Sequence, residues 1–372
     1  MGVEVNTITA LLDTTLAVIF TWVGYKTGSI LWKYTPYSYP NARIQAMEAR
    51  LFNEQKFSEL AEAKTLNNFV MSLEDSDYKP YLGKIENYSA EAIDRALNEA
   101  LADIYTLMTK ILPKRVNGLF KLLLEEWDVR NVSAVVKAKL SGEVARDYII
   151  EIGTIVEKVK AIAEAKTMEE ILVILEGTEY EEVYQRLLLN EISLEEFETE
   201  LYKIYYAKLL NYAKSKKGEE KKIIEEFLKL KIDKLNLLTI LRAKLHKMSA
   251  EKIRPMIIPG GSLNQRVIET LLNVEDVSMA LAELDSTKYS AVIREQREAL
   301  EKGDLSSLER AFDKFIQEKT AEMTRFYPLS VAIPLNYILL KEREIRKLKA
   351  IAKLIEDKVK PEKIKAIVGE AL

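Results

Sequence analysis

The sequence predicts an all-α fold of three similar multi-helix units preceded by an apolar N-terminal helix, and three observations carry that prediction. Glycine and proline are scarce, 13 and 9 among 372 residues, so the chain has few of the residues that build tight hairpin turns. Leu, Ala, Glu and Lys, all good helix formers, are abundant. Apolar residues step by three and four, as at Leu194, Phe197, Leu201, Ile204, Tyr205 and Leu209, the spacing of a one-sided helix. Helix starts are also marked. Ser193 with Glu196, and Ser306 with Glu309, have the spacing of a capping box, in which a hydroxyl and a carboxylate satisfy orphan amides.

The first 33 residues are of different material. Residues 8–25 carry one charge, Asp13, around a dense apolar centre from Leu16 to Val23. That length is near the lower bound of about 17 residues for a membrane-crossing helix. Three placements stay open: burial against the protein's own body, contact with a membrane or a membrane protein, and an independent anchor. The anchor is disfavoured because Asp13 would need a partner in lipid. Gly24 and Gly28 have the spacing that permits close helix approach, a short pattern with little weight. Tyr34, Pro36, Tyr37 and Pro40 are expected to break the helix and form a linker.

The body repeats itself. Residues 61–78 return as residues 163–180 with eight of 18 positions identical and no gap. Both copies open on Ala-Glu-Ala-Lys-Thr and end in leucine, an acid, three residues and tyrosine: Leu73 to Tyr78, and Leu175 to Tyr180. A third ending runs from Leu284 to Tyr289. A second element repeats as Asp128 with Asn131 and Lys139, then as Asp233 with Asn236 and Lys244, with a looser version at Asn41 and Arg50. The resulting division is an extension over 1–33 and units over 34–120, 121–226 and 227–372. Units of this size are too long for short helical-hairpin repeats and large enough to hold a small core. They can stack in a row or close around a pseudo-threefold axis. Tyr78, Tyr180, Tyr289, Asn131 and Asn236 read as structural, with the motif acid capping the next helix.

Catalytic groups are hard to find. There is no cysteine, which removes disulfides and thiol chemistry, and His246 is the single histidine, which removes His-rich metal sites and the Ser-His-Asp triad. Gly260-Gly261 lacks the lysine of a phosphate loop. No catalytic, cofactor or metal residue is assigned, and no cofactor is expected. With 55 basic against 58 acidic residues, a nucleic-acid partner is not expected either.

The segment Asn41-Ala42-Arg43-Ile44, then Met47 to Leu51, resembles the C subunit of archaeal A-type ATP synthases, itself related to the d subunit of the eukaryotic vacuolar proton pump. The repeated elements, Ile258-Pro259-Gly260-Gly261 and the run from Asn336 to Ile345 extend the resemblance over residues 37–372. It implies a non-catalytic, all-helical funnel in the central stalk. Such a funnel sits on a membrane rotor ring of proteolipid subunits and receives the central shaft subunits, so that ATP synthesis or hydrolysis is linked to ion translocation. It also implies peripheral association with the cytoplasmic face of the cell membrane. Leu16, Ile19, Phe20, Trp22 and Val23 are then expected to meet the ring. The other readings are a helical scaffold or a membrane-associated adaptor for a different complex.

Overall fold

A computed structural model describes the backbone of residues 2–371 and the side chains of residues 12, 14–300 and 302–369. Asp13 lies outside the described side chains. Among the described residues the regular structure is helical, with no strand. The first stretch holds α1 (Gly2–Glu48), the short α2 (Glu54–Ala61), α3 (Leu66–Met71) and α4 (Lys79–Leu82), and the long α5 (Ala90–Ile111). The second holds the long α6 (Lys114–Ser141), short α7 (Val156–Glu164), α8 (Met168–Leu175) and α9 (Glu181–Leu188), and the long α10 (Leu194–Lys214). In the third, α11 (Gly218–Leu245) precedes α12 (Ala250–Ile253), α13 (Gln265–Asn273), α14 (Val277–Leu284), α15 (Ser290–Glu301) and the long α16 (Leu305–Phe326). Helices α17 (Ala332–Glu356) and α18 (Pro361–Ala371) complete the chain.

Local chemistry explains the repeated starts. Thr65, Thr167 and Asp276 each turn a side-chain oxygen onto an amide in the first turn of α3, α8 and α14, satisfying a donor that the helix itself cannot. Ser193 and Glu196 form the expected capping box at α10. At α16 the expectation is corrected. The helix starts before Ser306, because the Asp304 carboxylate accepts from the amides of Ser306 and Ser307, and a negative charge is favoured at a helix N-terminus.

The predicted break after residue 33 is also corrected, since α1 runs unbroken through Pro36 and Pro40. A proline inside a helix costs about 3 kcal/mol through its missing N–H and its clash with the preceding turn. Here the cost is offset by anchorage. Tyr37 and Ile44 are fully buried, Arg115 donates to the Lys33 carbonyl just before the prolines, and Asn41 donates to the Ser330 carbonyl at 3.0 Å.

Six long helices form a closed circuit, each packed on the next: α17 on α5, α5 on α6, α6 on α10, α10 on α11, α11 on α16, and α16 back on α17. Shorter helices pack against these, α2 and α3 on α17 and α7 on α6. Helix α17 also packs on α1 and α2, so the last long helix meets the first stretch of the chain.

Candidate interaction surfaces

The repeat motifs are built into this circuit rather than displayed on it. Asp128, buried on α6, accepts from the amides of Thr154 (2.7 Å) and Ile155 (3.1 Å). Asp233 on α11 accepts likewise from Ser262 (2.9 Å) and Leu263 (3.3 Å). The two carboxylates approach the backbone so closely that a Cβ on Gly153 or Gly261 would stand about 2 Å from the aspartate oxygen, so only glycine fits. Asn131 binds the Ile150 amide and the carbonyls of Ile150 and Ile152. Asn236 binds the amide and the carbonyl of Ile258. Lys139 and Lys244 donate to carbonyls at the ends of α7 and α13, the place where a cation suits a helix dipole.

Tyr78, Tyr180 and Tyr289 are buried. The Tyr78 hydroxyl donates to Glu344 at 2.6 Å and that of Tyr289 to Asp233 at 2.6 Å. Burial, and then the neighbouring carboxylates, push both phenols well above their ordinary pKa. The expectation that the motif acid caps the following helix is corrected. No side chain caps those helices, and the residue two positions before each tyrosine instead closes the turn that leads into the helix. Ser76, Thr178 and Thr287 donate to the carbonyls of Leu73, Leu175 and Leu284 at 2.6–2.7 Å and accept from the tyrosine amides at 3.2–3.3 Å. The hydroxyl recurs at the same position in all three copies, so the sequence does carry the signal.

Asn41 clamps the loop before α17 rather than its own stretch, and the aspartate's place in the first stretch is taken from the far end of the chain. Glu344 on α17 accepts from the Phe52 amide at 2.6 Å and from buried Lys341 at 2.7 Å. Lys347, three residues on, pairs with Glu54 at 2.8 Å and lies over the Phe57 ring.

The six long helices together line a cavity of about 1020 Å³. Its wall is charged and internally paired. Glu126 takes Arg130 and Lys231, each at 2.5 Å, and Asp313 takes Lys234 at 2.5 Å and Arg346 at 2.9 Å. Burial alone would raise the pKa of both carboxylates, but the paired cations outweigh it and hold both below the usual range. Trp127, Tyr202 and Phe315 interleave with the charges. None of these wall residues stands out in the sequence, where they read as ordinary helix-surface positions.

A second surface is the outer half of α1. Leu16, Ile19, Phe20, Trp22 and Val23 are all exposed, Phe20 to 72%, which removes the reading in which this segment folds back on the body. Among the described residues no helix is long and apolar enough to cross a membrane. The arm meets the body at a cluster where Lys33 and Tyr34 bind Glu219 at 2.9 and 3.1 Å. In the same cluster Tyr37 and Arg115 bind Glu220 at 2.8 and 2.5 Å. His246 is exposed at the end of α11, and among the described residues no group of three His, Asp or Glu side chains is placed to hold a metal ion.

Comparison with known proteins supplies the family. A sequence model described as ATP synthase (C/AC39) subunit matches residues 40–367. A protein of Thermococcus onnurineus (strain NA1), named as the C subunit of the A-type ATP synthase, is 67% identical over 99% of this chain and 100% of its own length. The Pyrococcus horikoshii protein of the same name is 60% identical over 99% of each chain. That of Methanocaldococcus jannaschii is 35% identical over 90% of this chain and 86% of its own. The chain belongs to the ATP synthase (C/AC39) subunit family, among the proteins that bear the name of the A-type ATP synthase's C subunit.

Proposed function

We propose that this chain is the non-catalytic coupling part of a rotary A-type ATP synthase, seating the central shaft in its cavity and resting on the membrane rotor ring. The observation that carries the reading is the closed circuit of six helices around a cavity of about 1020 Å³. A part that passes torque must not shear, and closely packed interiors have low compressibility and transmit strain. A circuit without free ends divides a sideways load among all its helix pairs, whereas a row of repeats would bend at its last member. Charged pairs such as Glu126 with Arg130 and Asp313 with Arg346 give the wall polar groups for a shaft end to engage. The arm of α1 marks the end that faces the membrane, with the chain held peripherally at the cytoplasmic face.

The test is reconstitution. In mild detergent the chain should co-purify with a proteolipid ring and with shaft subunits. An assembly lacking it should still hydrolyse ATP but no longer drive ions across the membrane. The isolated chain should give no saturable micromolar isotherm with Mg-ATP. Ion pumping that persists without the chain overturns the proposal, as does nucleotide binding by the chain alone.

A further inference from the structure

We propose that the end of the helix circuit where the α1 arm leaves the body is a cationic platform, docking on acidic loops repeated around the rotor ring. The inference rests on the coupling reading and deepens it, by naming the chemistry that the ring must present.

Three turns build this end, joining α5 to α6, α10 to α11 and α16 to α17. All three meet α1 within residues 33–41, a rise of about 12 Å along that helix. Arg115, in the first turn of α6, donates to the Lys33 carbonyl. Tyr34 and Tyr37 donate to Glu219 at 3.1 Å and Glu220 at 2.8 Å, both in the first turn of α11. Asn41 donates to the carbonyl of Ser330, just before α17, at 3.0 Å. One helix thus holds the three turns at one level.

Charge is gathered at this end. Terminal turns of four residues give six cations against two carboxylates here, and four against four at the other ends of the same six helices. Lys216 and Lys217, in the join between α10 and α11, bring this end to eight against two, a net of +6 in a chain whose total is −3. Both carboxylates are already taken, Glu219 by Lys33 at 2.9 Å and Glu220 by Arg115 at 2.5 Å. Lys110, Lys114, Lys214, Lys217 and Arg325 are exposed and make no ion pair among the described residues.

Helix stability does not ask for this arrangement. A helix start favours anions, yet α6 opens on Lys114 and Arg115 with no acid in its first turn, and Lys217 is the N-cap residue of α11. Cations kept where a helix disfavours them, and left without partners, fit an anionic surface brought from outside. The partner's form follows from the number of turns. Three turns at one level suit a partner that repeats one acidic group about an axis, as a ring of identical subunits does. A partner with a single acidic site would engage one turn and leave two.

The experiment measures binding of the full chain to an isolated A-type rotor ring in mild detergent, over a range of salt. Affinity should fall steadily as salt rises. The triple variant Lys114→Glu, Lys214→Glu, Lys217→Glu should bind about a hundredfold more weakly at low salt. Its gap from the parent should close near 1 M salt, where the screening length is about 3 Å. Its melting temperature should not fall, since these side chains are unpaired and two of the changes place an acid at a helix start. The control Lys64→Glu, Lys79→Glu, Lys166→Glu makes the same change in net charge at exposed lysines among the short helices, and should bind like the parent. Ring binding that neither salt nor the first triple weakens overturns this proposal and leaves the coupling reading standing. Equal weakening by the two triples does the same. A parent chain that does not bind the ring at all overturns both, whether or not it floats with phosphatidylglycerol vesicles instead.

Discussion

The second and third repeats solve one packing problem with the same residues, while the first solves it with different ones. In the second and third, a buried aspartate and an asparagine three residues on hold the loop that enters the next short helix. In the first, the equivalent hold on the loop at Phe52 comes from Glu344 and Lys347, nearly three hundred residues downstream. The difference separates what is local from what is global. Two repeats carry their own clamp and need only sequence neighbours. The first is completed by α17, so its stability is tied to closure of the circuit.

The largest effect should come from breaking that borrowed clamp. Glu344→Ala leaves Lys341 buried beside Tyr78 without its carboxylate, and stripping one partner from a buried pair costs about 3–5 kcal/mol. The loss should fall on both ends of the chain at once. Hydrogen exchange should therefore rise together in α2–α4 and α17, and stay low in α7–α9. In Asp233→Asn the exchange should rise only around α11 to α15, with a smaller cost of about 1.5–3 kcal/mol. A Glu344→Ala protein whose exchange rises across all three repeats equally would mean that the local and borrowed clamps do not differ.

The comparison also shows what could be read from the sequence. The helices, their apolar spacing, the repeats and the family were legible because they rest on neighbours along the chain. The clamp of the first repeat was not. Glu344 and Lys347 sit in an ordinary run of helix charges, and nothing local says that their partners are Phe52 and Glu54. The continuity of α1 was hidden for the same reason. Pro36 and Pro40 argue for a break, and contacts far along the chain, among them those with Arg115, Glu219, Glu220 and Ser330, hold the helix together. The cavity wall is the product of many helices, the six long ones and α15 among them, and is written in no single one of them.

A middle-sized effect is expected on the acid side of that wall. The Glu126 carboxylate is buried, which alone would raise its pKa, but Lys231 and Arg130 hold it below the ordinary 4.5. A group depressed in the folded state contributes stability that is complete above the unfolded pKa and is lost as the pH falls through the folded value. Glu126→Gln should therefore be less stable than the parent at pH 7. The gap between the two melting temperatures should narrow steadily below about pH 4.5. A gap that stays constant or widens in acid would mean that the wall is held by packing and not by its charges. The same substitution at exposed Glu298, paired with Lys302 one turn on, should leave the acid limb unchanged.

The smallest effect should also be the most uniform, and it tests how alike the repeats are where they do match. Ser76, Thr178 and Thr287 make the same two bonds, one to the carbonyl of the motif leucine and one from the amide of the motif tyrosine. Ser76→Ala, Thr178→Val and Thr287→Val each remove one neutral pair, worth about 0.5–1.5 kcal/mol. Each variant also leaves a tyrosine amide short of that partner at the start of a short helix, where no side-chain cap replaces it. The three turns are far apart in sequence and share no partner, so the three losses should be nearly equal and the triple variant should show their sum. If the Ser76→Ala loss is several times the other two, the turn at Tyr78 is coupled through Glu344 to the closure of the circuit. The borrowed clamp would then reach deeper into the first repeat than its own contacts indicate.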